Sequence, residues 1–449
     1  MTVDRPAGPL DRLLRVVSDV RAGEGVTALL MLLNLFLLLV GYYVVKTVRE
    51  PLILDSPPPS WVPSGAEMKT YAAAGQAVVL MGFIPLYSWF ASRVGRLKLI
   101  FGLMLFFIVS FEAFYLASKV GVPYLSFAFF IFVGIFSNAA IAQFWSFAND
   151  LYRKKDGERL FPLIALGATV GSPVGAKAAG WFFEAGVGAY EMLHVTAVLL
   201  AAHLGLYWIV QQRESRGHDE PAATTPLAAG AGGLPLIFRS RYLGLVALLI
   251  VVLNIVNTTG EYLIDRSLLA AADQAAAVTA DFNRSAFIGS FKGDYFFWVN
   301  VTAVALQALL VSRLVKYAGL AGVILLPTFI AFGAYGLIAL GAGFVAVRWA
   351  KTAENASDYS IMNTARQMIW LPTSREEKYK AKQAVDTFFV RIGDVLSAFV
   401  VLAGTAWLAL GLRGFAVANL AFVALWLGVA FVLLREHRRL SERAEEKAA

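Results

Sequence analysis

The chain has 449 residues, of which 58% are hydrophobic and 16% are charged, and its mean hydropathy is +0.65. Soluble domains contain about a quarter charged residues, so this composition excludes an ordinary soluble protein and indicates a chain that crosses a membrane several times. A transmembrane β-barrel is also excluded, because it would show alternating segments of about ten residues where this chain has long, continuous apolar runs. The net charge of +8 is explained by basic cytoplasmic loops and does not indicate a nucleic-acid partner.

The residue types present exclude several kinds of catalytic and metal site. Cysteine is absent, which excludes disulfide bonds, thiolate metal ligands and cysteine nucleophiles. Only four histidines occur, and no cluster of histidines and acids has the spacing of metal ligands. The phosphate-binding P-loop and the Gly-x-Ser-x-Gly motif of serine hydrolases are absent too. We therefore predict no catalytic residue, no metal, no cofactor and no enzymatic activity.

Twelve segments are candidate membrane-spanning helices. They are predicted at residues 25–49, 68–92, 98–118, 122–149, 160–185, 190–211, 241–265, 291–313, 318–346, 350–371, 383–410 and 414–434. The first of them is too long for the apolar part of a cleavable signal, so we expect it to remain as a span. Segment 267–290 is too polar to cross the membrane, and we expect a short helix and a loop on the outer face.

Lysine and arginine are concentrated in alternate loops, which predicts the orientation of the chain. The base-rich loops include residues 93–98, 153–159, 213–216, 313–316 and 375–382, whereas the loops at 51–67 and 184–191 contain few basic residues. By the positive-inside rule both termini are then cytoplasmic, which requires an even number of spans. We predict a multi-pass membrane protein that acts as a monomer.

A polar segment rich in alanine, glycine and proline, residues 212–238, is predicted to be a cytoplasmic linker between two domains, 1–211 and 239–449. The two halves look weakly related, since SRVGRLK follows the second span and SRLVK follows the eighth. SRVGRLK is similar to the loop motif of the major facilitator superfamily, although Ser92 replaces the acid of that motif. The predicted fold is therefore all-α and polytopic, with two parallel six-helix repeats around a central cavity, as in that superfamily.

Three charged residues lie at the end of the first predicted span. Lys46, Arg49 and Glu50 are spaced so that they share one helical face. Ionisable groups at membrane depth cost several kcal/mol unless they are paired or face a wet cavity, although charges at a helix end can also reach the interface. We predict that Lys46 and Arg49 line a cavity and bind an anionic group, for which the forked donors of arginine are well suited.

The tenth predicted span is too polar to face lipid. Lys351, Glu354 and Asp358 share one of its faces, and the eleventh span carries Arg391 three residues before Asp394. Two uses of these charges remain open: they bind a polar, anionic solute, or they form salt bridges between helices that lock the states of an alternating-access cycle.

The predicted functional residues form two sets. The substrate-binding set comprises Lys46, Arg49, Glu50, Asn149, Glu261, Glu354, Asp358, Asn363, Arg366 and Arg391. The gating or coupling set comprises Asp150, Lys380, Lys382, Asp386 and Asp394, with Asp150 expected to pair with Lys380 or Lys382.

Several motifs resemble the ATP/ADP translocase family, the nucleotide transporters of plastids and intracellular bacteria. The family's basic-x-x-basic-acid pattern at the end of the first helix is matched by residues 46–50, F-W-x-x-A-N by residues 144–149, and R-x-x-P-L by residues 159–163. Matches in the second half are Tyr359, Ser360, Met368, Pro372, Lys380, Lys382, Ala384, Asp386 and Gly393. The resemblance implies transport of a small anionic solute, a nucleotide, across the lipid bilayer by exchange that needs no ion gradient.

Some positions depart from the family pattern. Asn363, Arg366 and Gln367 stand where the family often has D-x-x-K-E, and Asp394 stands where it often has lysine. These differences change the charge of the second half, so two alternatives are kept. One is a major-facilitator-type transporter of another phosphorylated or organic anion, coupled to protons. The other is a membrane scaffold that transports nothing.

Overall fold

The computed structural model describes residues 8–16, 18–91, 93–152, 154–214, 233–374 and 376–446, and these residues form helices and connecting loops without a β-strand. The α-helices are α1 (Pro9–Leu14), α2 (Gly25–Leu54), α3 (Gly65–Ala91), α4 (Arg96–Lys119), α5 (Leu125–Leu151), α6 (Lys154–Glu184), α7 (Met192–Glu214), α8 (Gly233–Arg239), α9 (Arg241–Val278), α10 (Arg284–Leu306), α11 (Ser312–Ala339), α12 (Phe344–Ser357), α13 (Asn363–Met368), α14 (Lys382–Ala384), α15 (Val390–Leu402) and α16 (Leu412–Glu446). Single π-helical turns at Gln307–Val311, Asp358–Met362, Glu377–Ala381, Val385–Phe389 and Ala403–Trp407 join several of them.

Ten helical stretches of the described chain are long and apolar enough to cross a membrane. One of them, Arg284–Ala339, has 56 residues, and an unbroken helix of that length would measure about 84 Å, far more than the roughly 30 Å of a bilayer core. It is broken at Gly319, whose φ of 55° and ψ of −149° are not helical. The break divides this stretch into two arms, residues 284–318 and residues 320–339. The stretch Phe344–Met368 is helical as well but more polar, and the total of twelve spans stays a prediction.

One expectation about the connections is corrected by the structure. Segment 267–290 does not form a separate short helix, because α9 continues without interruption to Val278. Its sequence there is rich in alanine, the best helix former, so polarity alone did not end the helix. The predicted linker is helical at its end, where it forms α8, and its central part, residues 215–232, lies outside the described residues.

The chain divides into two compact units. The first unit comprises Met1–Leu52, Trp89–Pro226 and Ser285–Phe297, and the second comprises Ile53–Ser88, Leu227–Arg284 and Trp298–Ala449. Each unit thus takes a segment from the opposite side of residues 212–238. The predicted domains 1–211 and 239–449 stay a prediction.

In the first unit, α2 and α6 pack backbone against backbone. Gly167, Gly171 and Gly175 are spaced four residues apart, so they form one stripe along α6. A Cβ atom on Gly171 would lie 2.7 Å from the carbonyl oxygen of Phe36, and one on Gly167 would overlap the carbonyl oxygen of Leu32. Only glycine allows this close approach, which fixes the position of α2, the helix that carries the predicted anion-binding residues.

Asp11 attaches the N-terminal segment to the start of α2. Its carboxylate accepts hydrogen bonds from the backbone N–H groups of Gly8, Gly23 and Gly25, each at 3.0 Å. Since Gly25 is the first residue of α2, Asp11 caps this helix although it lies 14 residues earlier. These bonds, that from Gly23 foremost, hold the pKa of Asp11 below its usual value because they stabilise the charged carboxylate.

In the second unit, α9 is the central helix. It packs against α12, α15 and α16, and α16 also packs against α11. Most apolar residues of α9 are covered, with Leu253, Val256 and Leu263 fully buried. The remaining face of α9 carries the polar residues of the unit, so the packing of this helix determines where they lie.

Candidate functional site

The predicted anion-binding residues lie within a helix, not at its end. Because α2 continues to Leu54, Lys46, Arg49 and Glu50 are followed by another helical turn. Lys46 and Glu50 are buried and Arg49 is half-buried. The simple alternative, in which these charges reach the interface from a helix end, therefore does not describe them.

Glu50 is the centre of an ionic cluster in the first unit. Its Oε2 lies 3.2 Å from Nζ of Lys292 on α10, and its Oε1 lies 3.4 Å from Nε of Arg49. The side chains of Lys292 and Glu50 are 0% and 1% exposed. We call Lys46, Arg49, Glu50 and Lys292 the cation cluster. One carboxylate thus holds two cations in place, with Lys46 one turn away on the same face of α2.

Aromatic rings surround the cations of this cluster. Nζ of Lys46 lies 4.8 Å from the ring centroid of Tyr43 and 4.6 Å from that of Phe296. The guanidinium carbon of Arg49 lies 4.3 Å from the ring centroid of Phe130. Cation–π contacts of this kind hold a charge in position without neutralising it. The arrangement is therefore suited to an anionic ligand.

A second ion pair of the first unit joins α6 to α10. Lys177 donates to Oδ1 of Asp294, and both side chains are half-buried. The two helices approach closely here, since a Cβ atom on Gly293 would lie 2.6 Å from Cα of Gly180. Lys292 and Asp294 were not identified from the sequence. The signal that could have found them is the charged run around residue 292 inside an apolar segment.

In the second unit, the polar residues of α9 form a ladder along one face. The polar ladder consists of Asn254, Asn257, Thr258, Glu261 and Asp265. Asn254, Thr258, Glu261 and Asp265 follow one another at steps of four, three and four residues, which place them above one another, and Asn257 lies beside Thr258. Only Glu261 was singled out as a substrate-binding residue, although the same 3.6-residue period is visible in the sequence for the whole ladder.

In the N-terminal half of the polar ladder, the side-chain amides of Asn254 and Asn257 donate hydrogen bonds to acids of neighbouring helices. Nδ2 of Asn254 donates to Oδ1 of Asp394 at 2.7 Å, and Arg391 donates to Oδ2 of the same carboxylate at 3.2 Å. Nδ2 of Asn257 donates to Oδ2 of Asp358 at 3.0 Å. Arg391 and Asp394, three residues apart in the sequence, therefore form an ion pair.

Arg366 also contacts Asp358, with a distance of 3.5 Å between NH2 and Oδ1. Asp358 begins a π-helical turn that separates α12 from α13. Such turns interrupt regular α-helical hydrogen bonding and are frequent at functional positions.

In the C-terminal half of the polar ladder, Glu261 and Asp265 form ionic contacts. Nζ of Lys69 on α3 lies 2.7 Å from Oδ2 of Asp265 and 3.9 Å from Oε2 of Glu261. Nδ2 of Asn355 donates to Oε1 of Glu261 at 2.6 Å. Lys69 was missed by the sequence reasoning, because a lysine near the start of a predicted span is usually interfacial.

Glu67, two residues before Lys69, has its own partners. Its Oε1 accepts hydrogen bonds from the hydroxyl of Tyr262 and from Arg266, both at 2.7 Å. Together these contacts attach the start of α3 to the middle of α9. Glu67 is completely buried; Arg266 balances its charge, and the hydroxyls of Tyr262 and Ser64 donate hydrogen bonds to its two oxygens.

A third polar group of the second unit is sealed inside it. Lys351 donates to Glu354, and the hydroxyl of Tyr335 donates to Oε1 of Glu354 at 2.9 Å. Lys351 and Tyr335 are fully buried, and Glu354 is 3% exposed. Glu354 was expected to bind substrate, and this role stays a prediction; the structure places it in a packed ion pair.

The other predicted residues are more accessible. Asn149 and Asp150 are exposed at the end of α5, and Asn149 lines a cavity of about 700 Å³. Asn363 and Asp386 are also exposed. Their roles, and the pairing of Asp150 with a lysine of the second half, stay predictions.

The two lysines predicted as gate residues have contacts within the second unit. Lys380 pairs with Glu376 at 2.9 Å, and Nζ of Lys382 donates to Oε1 of Gln367 at 2.6 Å. In the described part of the chain, no group of histidine, aspartate and glutamate is arranged to hold a metal ion.

Comparisons with known proteins complete the description. No family model matches the chain. It is 21% identical to ADP,ATP carrier protein 1 of Chlamydia trachomatis, over 87% of this chain and 84% of the carrier. It is 23% identical to ADP,ATP carrier protein 4 of Rickettsia bellii, over 61% of this chain and 58% of that carrier. The resemblance found in the motifs is confirmed as a distant similarity over most of the chain.

Solved transporter structures share the fold. The nucleoside transporter NupG superposes with a TM-score of 0.66 at 12% identity, over 91% of this chain and 98% of that one. The POT family transporter PepTSo gives a TM-score of 0.64 at 11% identity, over 93% of this chain and 98% of that one. The fold is major-facilitator-like. The prediction of an all-α, multi-pass membrane protein with this fold is confirmed.

Proposed function

We propose that the protein is a membrane carrier that exchanges nucleotides of the ATP and ADP type. The observation that carries the proposal is the cation cluster, in which Lys46, Arg49 and Lys292 lie together inside a membrane protein. The distant similarity to ADP,ATP carriers supports the same choice of solute.

The chemistry of a nucleotide fits this cluster. Its phosphates are best bound by a forked guanidinium and by ammonium groups, which Arg49 and Lys46 provide. The rings of Tyr43, Phe130 and Phe296 keep these cations oriented. Exchange is expected on electrostatic grounds. Buried cations are more stable when an anion is bound, so the carrier should change between its states only with an anion in place. A carrier of this kind needs no ion gradient.

A second candidate function is transport of another organic anion together with protons. The polar ladder favours it, since Glu261, Asp358 and Asp394 each interact with an amide that can also bind a neutral carboxyl group. Protonation of such an acid would weaken its ionic contacts and keep its amide contact. The acids of the second unit would then take part in the transport cycle.

Exchange by purified protein in liposomes separates the two candidates. The liposomes are preloaded with ADP, and entry of labelled ATP is followed with and without a proton uncoupler. Exchange predicts entry that requires internal nucleotide and ignores the uncoupler. Entry that the uncoupler abolishes would favour the proton-coupled function. No entry of ATP in either condition would reject the nucleotide proposal. If other phosphorylated solutes were not taken up either, the result would favour a scaffold that transports nothing.

We also propose that the protein is located in a bacterial inner membrane, with both termini in the cytoplasm, and acts as a monomer. The distribution of basic residues among the loops supports this orientation. Asp150, Lys380, Lys382, Asp386 and Asp394 are proposed to act in gating or coupling.

A further inference from the structure

A cavity of about 700 Å³ opens where α5 ends and α6 begins, away from the residues of the cation cluster in the sequence. Its size is in the range of sites for small ligands. It is lined by Trp145, Asn149, Tyr152, Gly157, Glu158, Phe161, Pro162 and Ala165. All of these residues belong to the first unit.

Three aromatic rings form the wall of this cavity. The ring centroids of Trp145 and Phe161 lie 5.6 Å apart at 74°, and those of Tyr152 and Phe161 lie 6.0 Å apart at 79°. Gly157 packs against the ring of Phe161, since a Cβ atom on Gly157 would lie 3.0 Å from that ring. Rings fixed edge to face leave ring faces on which a flat ligand can stack.

The rim of the cavity carries an amide and a carboxylate. Asn149 offers both a donor and an acceptor, whereas ionised Glu158 only accepts hydrogen bonds. Both side chains are exposed. Pro162, one turn after Glu158, has no N–H to donate to the backbone carbonyl of that residue, which adds a second acceptor at the same place.

The described lining of this cavity favours an uncharged ligand. None of its described lining residues is a lysine or an arginine. The neighbouring Arg159 has its guanidinium engaged, with NH2 at 3.0 Å from Oε1 of Glu24 and at 2.7 Å from Oδ1 of Asp156. Glu158 would repel an anion. The cavity thus selects a flat, uncharged group with N–H donors along one edge.

We propose that this cavity binds a purine base that carries an exocyclic amine, as in adenine and guanine. The base stacks on the rings of Trp145 and Phe161, Asn149 pairs with a donor and an acceptor on its edge, and Glu158 accepts from the amine. The choice of a nucleotide component rests on the proposed function. The cavity is a site separate from the cation cluster, because the contact of Gly167 with Leu32 places Phe161 about 30 Å along the helices from Lys46, farther than one nucleotide can reach.

Equilibrium dialysis with the purified full-length protein in detergent tests the proposal, because it requires no transport. The probes are labelled adenosine and guanosine, compared with purine riboside, which lacks the exocyclic amine, and with uridine. We expect adenosine or guanosine to bind at least about tenfold more tightly than purine riboside and uridine. Equal binding of purine riboside, or no binding of either nucleoside, would overturn the proposal.

Variants assign the binding to this cavity. Glu158→Gln changes an exposed side chain and should weaken adenosine or guanosine binding about tenfold, and Phe161→Leu should weaken it by a similar factor through lost stacking. The matched control is Glu184→Gln, an exposed acid at the other end of the same helix, which should bind as the wild type does. Unchanged binding by Glu158→Gln would reject the site.

The two proposals fail separately. Selective nucleoside binding that depends on Glu158, in a protein without ATP/ADP exchange, would support the base site and reject the exchange function. ATP/ADP exchange by a protein that does not bind nucleosides would support the exchange function and reject the base site.

Discussion

Arg49 is the residue whose replacement tests the proposed phosphate binding most directly. Arg49→Ala removes the guanidinium that lies over Phe130 and beside Glu50, and we expect ATP uptake to fall by about tenfold or more, as for a lost hydrogen bond to a charged group. Arg49→Lys should restore part of the uptake, because lysine keeps the charge without the forked geometry. Uptake by proteoliposomes is the measurement.

Arg93→Ala is a matched control for Arg49→Ala. Its guanidinium also lies over an aromatic ring, 4.1 Å from the centroid of Trp89, but Arg93 is exposed. We expect this variant to transport normally. If Arg49→Ala and Arg93→Ala transported equally well, Arg49 would not be a solute contact.

The pair between Glu50 and Lys292 makes a prediction about stability. Both groups are buried and lie 3.2 Å apart, so Glu50→Gln leaves Lys292 buried without the carboxylate. Breaking a buried pair in this way costs about 3–5 kcal/mol, and we expect a clearly lower thermal unfolding temperature in detergent.

Replacing both partners should be less harmful than replacing one. The double variant Glu50→Gln/Lys292→Met removes the buried charge as well as its partner, and we expect it to recover much of the lost stability. A double variant that is less stable than Glu50→Gln would show that the two residues do not balance each other.

The contact between α2 and α6 is an element-scale feature that can be tested at one glycine. A methyl group on Gly167 would overlap the carbonyl oxygen of Leu32, so Gly167→Ala has to push the two helices apart. We expect a loss of about 1–3 kcal/mol, measured as a lower unfolding temperature.

The control is Gly205→Ala on α7, where a Cβ atom meets nothing within 4 Å. Alanine favours the helix over glycine by about 1 kcal/mol, so this variant should be as stable as the wild type or more stable. Equal unfolding temperatures for Gly167→Ala and Gly205→Ala would contradict the close packing of α2 and α6.

At the scale of elements, the sequence predicted the existence of the helices better than their limits. Hydropathy falls where helix α9 leaves its apolar part, but the alanine-rich continuation keeps it helical to Val278. The break at Gly319 is a backbone feature, with φ of 55°, and no apolar pattern contains it. The π-helical turns in the tenth and eleventh predicted spans are also backbone features, so the apolar pattern of the sequence does not show them.

The predicted site was found in part, and the residues that were missed have a common cause. Lys46, Arg49 and Glu50 could be predicted because three charges on one helical face are conspicuous in an apolar run. Lys69 and Lys292 were missed because their importance depends on partners in distant segments, Asp265 and Glu50, which a single sequence cannot pair.

For the whole molecule, composition and hydropathy were sufficient for the fold class. The long apolar runs required a helical membrane protein, and the transporter structures that superpose on 91% and 93% of the chain confirm it. Which segments pack together could not be predicted, since apolar faces of membrane helices are interchangeable in composition. The segment Ser285–Phe297, for example, belongs to the first compact unit although it lies in the second half of the sequence.

The orientation of the whole molecule is predicted from its charges and can be tested without background labelling, because the natural chain has no cysteine. Ser60→Cys places a thiol in the base-poor loop between α2 and α3, where Ser60 is exposed. Ser215→Cys places one in the predicted linker, at a position outside the described residues. With both termini in the cytoplasm, an impermeant maleimide added to intact cells should label Ser60→Cys and should label Ser215→Cys only after the cells are opened. The reverse pattern would invert the topology, and it would also reverse the side of the membrane to which the end of α5, with its proposed base-binding cavity, is assigned.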